Sequence, residues 1–350
     1  MRIAQVAPLW LSVPPHTYGG AELIVHLLTE ELVKRGHEVT LFASGDSRTS
    51  GCLVPVCQHS VTEAMLKGEA YEYQHYTSAS AAEVLRRREF YDIVHFHLGC
   101  EYLPFGALLE KTKALFTIHI PFSIDDQWSL RRYPELAVAA ISESQTSPVR
   151  QHGLNMRVIH HGCDFGRYKF SANPGSYLAF LGRMGRQKSP LDAIRIAAGA
   201  GLPIVLAGAP QNSDEAQYFA SEVKPLIDGK NVTYIGLVDH DQKVELLRNA
   251  AALLFPIQGE EAFGIAMIEA MACGTPVVAW ERASVTEVVD FGKTGYYGDS
   301  VASLVSLVPL ALLLDRKQVR QHALERFSHE RMVDRYLEMY AWIAKRPTSN

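Results

Sequence analysis

The sequence predicts an α/β protein built as two doubly wound domains, each around a parallel sheet. Short apolar strand patterns alternate with helix-compatible segments along almost the whole chain, the pattern of a parallel sheet covered on both faces. At 350 residues the chain is longer than one hydrophobic core usually fills. A stretch containing Gly and Pro but little periodicity, residues 161–175, separates two such series. The expected boundaries are an N-terminal domain at 1–163, a second at 164–328, and a terminal segment, 329–350, packing back on the first.

Each element follows from its local pattern. Ile3–Ala7 reads as a strand, Gly19-Gly20 as a turn, and Ala21–Arg35 as a helix. Leu23, Ile24, Leu27, Leu28, Leu32 and Val33 line that helix's apolar side, and Gly36 stops it. Further strands are expected at Glu38–Ala43, Asp92–His97, Ala114–His119, Ala137–Ser142 and Arg157–His160. A second series follows at Ser176–Leu181, Leu202–Ala207, Val232–Ile235, Ala251–Phe255 and Thr275–Ala279. The last helix, Glu330–Ile343, carries Met332, Val333, Tyr336, Leu337, Met339 and Tyr340, so it should dock on a domain. Ligands of such sheets bind beyond the carboxyl ends of the strands, which puts the expected site in a cleft between two facing domains.

Composition narrows the class. The chain is 47% hydrophobic and 21% charged, as in ordinary soluble domains, and its net charge of −4 argues against nucleic acid as a partner. Arg86-Arg87-Arg88 and Arg131-Arg132 fit solvated helix faces, with a weak peripheral membrane contact as the alternative. The apolar run Val301–Leu314 is too short to span a bilayer. Five cysteines without a Cys-x-x-Cys spacing suit reduced thiols, and no signal-peptide pattern precedes the first strand, so a cytoplasmic location is expected.

Chemistry concentrates in four places. Glu261 and Glu269 stand eight positions apart with Phe263-Gly264 between them; Gly264 opens an apolar helix and Glu269 falls in its second turn. Free backbone N–H groups at that helix start can meet an oxygen-rich ligand, and two carboxylates along such a ligand suit several hydroxyls. A solvated Glu or one favouring the helix dipole is the plain alternative, but the apolar neighbours of Glu269 bury it, and a buried carboxylate needs partners. Arg183 and Lys188 bracket the loop after the first strand of the second series; a guanidinium fork and an ammonium point charge together suit a diphosphate. Tyr18-Gly19-Gly20-Ala21-Glu22 leaves amides open at the first helix start, or forms a plain tight turn; it is neither Gly-x-Gly-x-x-Gly nor a P-loop. His95 and His97 share a strand face without a convincing third zinc ligand, and His119, ending the next strand, is the better site candidate. His160 and His161 default to hinge or core packing. Asp239-His240-Asp241 imitates a metal-binding Asp-x-Asp, but Gln242 three residues after Asp239 makes it a helix N-cap with a capping-box partner.

Together, Gly19-Gly20-Ala21-Glu22, Asp92-Ile-Val-His95, Val158-Ile-His-His-Gly-Cys-Asp164, Gly182-Arg183 with Lys188, and the Glu-x7-Glu stretch through Pro276 resemble the family 4 retaining glycosyltransferases of the GT-B fold, over nearly the whole chain. Ser12-Val-Pro-Pro15 before Tyr18 is similar to a bacterial branch with antibiotic-tailoring members. The resemblance implies that Arg183 and Lys188 bind the donor diphosphate and stabilise its charge as it leaves. It implies that Glu269 holds the ribose, that Glu261 with the backbone amides from Phe263 and Gly264 holds the sugar, and that Ile265 is among the donor-binding residues. Gly19, Gly20 and Leu237 would complete the donor set, His119 would lie beside the reacting sugar, and His16 and Tyr18 would meet the acceptor. Transfer would be retaining and metal-independent with no resident cofactor, the co-substrate being a nucleoside-diphosphate sugar. Its acceptor would be a small molecule, a lipid-linked group or a saccharide. The chain departs from the family at His161-Gly162, usually Asn-Gly, at Lys188-Ser189, usually Lys-Gly, and at Ala283-Ser284, usually Gly-Gly. Donor identity therefore does not carry over; UDP-glucose is the expectation, ahead of GDP-mannose and UDP-GlcNAc. The rival readings are a two-lobed binding protein without transfer activity, a dinucleotide oxidoreductase, and a nucleotide-sugar hydrolase or epimerase.

Overall fold

The computed structural model describes residues 1–109 and 113–345. The chain divides into two compact units, Met1–Gly162 together with the chain from His329 onward, and Cys163–Ser328.

Among the described residues the first unit holds seven strands: β1 (Arg2–Val6), β2 (Glu38–Ser44), β3 (Cys52–Cys57), β4 (Ile93–Phe96), β5 (Lys113–Thr117), β6 (Ala137–Ala140) and β7 (Met156–Val158). They pair in the order β3-β2-β1-β4-β5-β6-β7, every pairing parallel. The central strands are apolar and buried, as both faces of such a sheet demand, with one exception. Gln5 of β1 lies in register with His95 of β4, and Gln5, His95, His97 and Thr117 are all buried. The helix His329–Ala344 explains this polar stripe. Gln5 Nε2 donates to the Tyr340 hydroxyl at 3.0 Å, which also meets His95 Nδ1 at 2.8 Å, and the Thr117 and Tyr336 hydroxyls are 3.1 Å apart. Met332, Val333 and Ile343 supply the apolar contact, and Arg35, at the end of helix Gly20–Lys34, grips Asp334 and the Glu330 carbonyl.

The second unit holds β8 (Leu178–Leu181), β9 (Ile204–Ala207), β10 (Val232–Tyr234), β11 (Ala252–Phe255), β12 (Val277–Trp280) and β13 (Gly295–Gly298). Their order is β10-β9-β8-β11-β12-β13, again all parallel. Phe180, Ile196, Leu206, Leu254, Val278 and Leu304 belong to one buried cluster.

In both sheets the strand order reverses at the centre, between β1 and β4 and between β8 and β11. The loops leaving the carboxyl ends of those strand pairs are where this architecture places ligands. Two strands lacked a sequence expectation, β3 and β13, and both are sheet edges. Pro55 and half-exposed alternation weaken the first, and flanking glycines the second. His119 lies two residues past β5 rather than at its end, but the Ile118 N–H still donates to the Ala139 carbonyl and keeps the chain aimed beyond the sheet. The run Val301–Leu314 forms a helix of 11 residues, Val301–Ala311. Among the described residues no helix is long and apolar enough to cross a membrane. Arg86, Arg87 and Arg88 are met by Glu83 and Glu89, so local ion pairs already account for that basic cluster.

Candidate functional site

In the second unit, the loop after β8 carries Arg183 and Lys188, and the loop after β11 carries Glu261 and Phe263. Backbone bonds stitch the two loops together: the amides of Gln258 and Gly259 both donate to the Gln187 carbonyl, at 2.9 and 3.3 Å. A buried Asp192 reinforces the seam, accepting from Ser189 Oγ at 2.9 Å and from Gln258 Nε2. The Lys188 ammonium is hydrogen-bonded to Glu261 Oε2, both side chains about four-fifths buried. Sequence reasoning gave these two residues separate tasks; the structure makes them one ion pair. Arg183 sits 2.9 Å from Glu215, a partner that nothing in the local sequence signals. Gly264 takes φ 83°, and a Cβ there would strike Met267 and Phe255, so glycine is required to start the helix Ile265–Ala272.

Glu269 is 4% exposed and has two partners distant in sequence. Tyr168 donates its hydroxyl to Oε1 at 2.7 Å, and the Lys243 ammonium reaches the same oxygen. Burial and the adjacent Glu269 carboxylate hold the Tyr168 hydroxyl well above the ordinary tyrosine range, so it remains a donor. The reading that a buried carboxylate needs partners thus acquires two names, Tyr168 and Lys243, which sequence spacing does not reveal. Leu237, in the loop after β10, is 56% exposed, and Ile265 is half-buried.

Two of the three places that depart from the family pattern share a structural signature. Ser189 (φ 54°) and Ala283 (φ 50°) are the non-glycine residues with positive φ among those described. A left-handed conformation costs an L-residue about 1–2 kcal/mol. Ser189 offsets part of that through its bond to Asp192. Ser284, next to Ala283, donates its hydroxyl to the carbonyls of Phe263, at 2.9 Å, and Glu261. The loop keeps the backbone shape that glycines would adopt and fastens it with serine hydroxyls.

In the first unit, the loop after β1 carries His16 and Tyr18, both exposed, and the Gly19-Gly20 step. Gly19 caps helix Gly20–Lys34 at φ 155°, where a Cβ would overlap Pro15 and Leu11. Glu22, in the first turn, is 4% exposed; burial pushes its carboxyl up to about 7. His119 is the middle member of a row of three imidazoles. Its Nε2 lies 3.0 Å from His97 Nδ1, and its Nδ1 lies 3.3 Å from His161 Nε2. Burial lowers all three imidazoles, His119 to about 3 and the others well below the ordinary value. His161, read from sequence as hinge or core packing, is buried and belongs to this cluster; the His160-His161-Gly162 step was its only signal.

Asp239 caps the helix His240–Arg248 with Gln242 completing the capping box, as its spacing predicted. His95 and His97 are occupied by hydrogen bonds, His95 to Thr117 and Tyr340, His97 to Gln5 and His119. Among the described residues, one set brings three potential metal-ligand atoms within 4.8 Å of one another, Asp46, His59 and Glu63. Lys67 already pairs with Glu63 at 2.6 Å. All five cysteines are free.

Residues 18–167 match the family model described as Glycosyltransferase Family 4, and residues 169–323 match that of Glycosyl transferases group 1. N-acetyl-alpha-D-glucosaminyl L-malate synthase of Bacillus anthracis is 24% identical, the alignment covering 92% of this chain and 93% of that protein. AviGT4, a glycosyltransferase involved in avilamycin A biosynthesis, shares the fold at a TM-score of 0.73 and 24% identity, with 99% of each chain covered. Anabaena Alr3699/HepE, solved in complex with UDP-glucose, does so at a TM-score of 0.73 and 17% identity, covering 98% of this chain and all of that one, 100%.

Proposed function

Matched in both units, the chain belongs to the family 4 glycosyltransferases of the GT-B fold, and we propose that it moves a hexose, glucose first among the candidates, from a nucleoside-diphosphate sugar to a hydroxyl acceptor with retention and without a metal. The observation that carries the reading is the seam in the second unit, where two loops from the sheet's central strands bring Lys188 against Glu261 beside the start of the helix Ile265–Ala272. A donor diphosphate takes the ammonium from Glu261, and the freed carboxylate accepts sugar hydroxyls. Arg183 adds a fork to the same diphosphate. Glu269, fixed by Tyr168 and Lys243, holds the ribose, with Leu237 on the nucleotide side and the amides of Phe263, Gly264 and Ile265 on the sugar.

The reading assigns no side chain in this set the part of a nucleophile. The acceptor oxygen bonds to the anomeric carbon on the face from which the diphosphate departs. The bond to the phosphate oxygen breaks, and that oxygen takes the acceptor's proton. Stabilising charge on the leaving group is then the main catalytic effect. His16 and Tyr18 are assigned to the acceptor, and Gly19, Gly20 and His119 to the donor sugar. UDP-glucose is favoured because a protein of this fold binds it, while the Bacillus anthracis relative, by its name, makes an N-acetyl-alpha-D-glucosaminyl product. Thermal-shift titration of the purified chain with UDP, GDP and ADP and their sugars tests the donor: one nucleotide should raise the melting temperature and its sugar should hydrolyse slowly. No shift with any of them would sink the reading. EDTA should leave turnover unchanged, whereas a strict Mn²⁺ requirement would overturn metal independence.

A further inference from the structure

The first unit contains a hydrogen-bonded chain whose direction can be deduced atom by atom. Gln5 Nε2 donates to the Tyr340 hydroxyl, which leaves Gln5 Oε1 facing His97 Nε2 at 2.7 Å. An amide oxygen only accepts, so the proton is on His97 Nε2. A neutral imidazole carries one N–H, so His97 Nδ1 is bare and accepts from His119 Nε2 at 3.0 Å. His119 Nδ1 is then bare in turn and accepts from His161 Nε2 at 3.3 Å. Burial keeps all three rings uncharged, so each must choose a tautomer, and one amide group sets all three choices.

We infer that Gln5 and His97 are positioning residues that hold His119 as its Nε2–H tautomer, with both nitrogens engaged and the ring plane fixed beside the donor sugar, so that His119 shapes that wall of the site but exchanges no proton during transfer. This rests on the assignment of His119 to the donor sugar. A histidine beside a reacting centre would ordinarily be the first candidate for acid–base work. Here its nitrogens point along the chain toward His97 and His161. Gln5 is itself held by the terminal helix through Tyr340, so the ring's orientation depends on a segment more than 200 residues away in sequence.

Nitrogen-15 NMR of the histidine-labelled full chain at neutral pH tests the tautomers directly, without a mutation that could impair folding. The expected spectrum shows His97 and His119 as Nε2–H; an Nδ1–H tautomer or a protonated ring at either overturns the inference. Kinetics test the positioning. In His97→Asn the amide oxygen can replace Nδ1 as acceptor for His119, and kcat should stay within a few-fold of wild type. His97→Leu should lower kcat on the order of 10- to 100-fold while the affinity for free nucleoside diphosphate is unchanged. Equal kcat for His97→Leu and wild type would overturn the positioning role. A wild-type chain that binds no nucleoside diphosphate counts against the donor assignment alone, because the tautomer spectrum is read without ligand.

Discussion

The two units share one strand order through their first six strands, yet they furnish the space around their central strands with opposite chemistry. The first unit holds uncharged polar groups there: His95, His97 and His161, buried, and His119, half-buried, are neutral, and Glu22 is held toward its protonated form. The second buries charges in pairs, Lys188 with Glu261, Lys243 with Glu269 and Arg183 with Glu215. Neutral hydrogen-bond chains specify geometry without holding a net charge out of water. Ion pairs are stable only while both partners are present, and they can be reopened by a ligand that supplies the missing charge. On the proposed reading, the contrast marks the second unit as the one that receives the donor's diphosphate.

The largest expected effect separates the units by pH. Each of these four histidines titrates in the folded state below its ordinary value of 6.5. The unfolded chain therefore binds more protons, and stability is full above about 6.5 and lost as pH falls. Four such rings give a slope of up to about 5 kcal/mol per pH unit in acid. Hydrogen exchange from pH 7 to 5 should show protection lost in Met1–Gly162 before Cys163–Ser328; simultaneous loss would erase the contrast.

Next in size, Lys188→Ala should lower kcat/KM by about 10²- to 10³-fold and lower the melting temperature, because Glu261 is left without its cation. Activity unchanged in that variant would remove the pair from the site. Glu22 tests the neutral side. Its folded pKa is raised, so the folded state keeps a proton between about 4.5 and 7, and burial costs stability as pH climbs through that window. Glu22→Gln should therefore stabilise at pH 8, on the order of 3 kcal/mol at most, and have no such effect at pH 4. Equal shifts at both pH values would show that burial of the charge is not the cause.

The smallest effects concern the loop shape of the charged side. Ala283→Gly relieves a positive φ and should stabilise by about 0.5–1 kcal/mol in denaturant unfolding. Ser189→Gly should be close to neutral, because relief of the same strain is offset by the lost bond to Asp192. Equal gains from both would mean that the serine hydroxyl contributes nothing.

Much of this was legible in the sequence where the signal is local. Apolar strands, the Asp239 cap, the glycine step before the first helix and the buried helix around Glu269 all depend on residues within a few positions of one another. Edge strands β3 and β13 were silent because half-exposed strands carry little apolar pattern. The sequence by itself therefore determined two parallel α/β units, the cations Arg183 and Lys188 near a glutamate pair, and the family those motifs belong to. Only the tertiary structure decided which charges meet. Lys243 and Tyr168 reach Glu269 from 26 and 101 positions away, and Tyr340 reaches Gln5 across 335. The physical reason is range. Periodicity and capping are fixed by backbone geometry over one or two turns, whereas burying a carboxylate or an imidazole requires a partner that only the folded chain can bring.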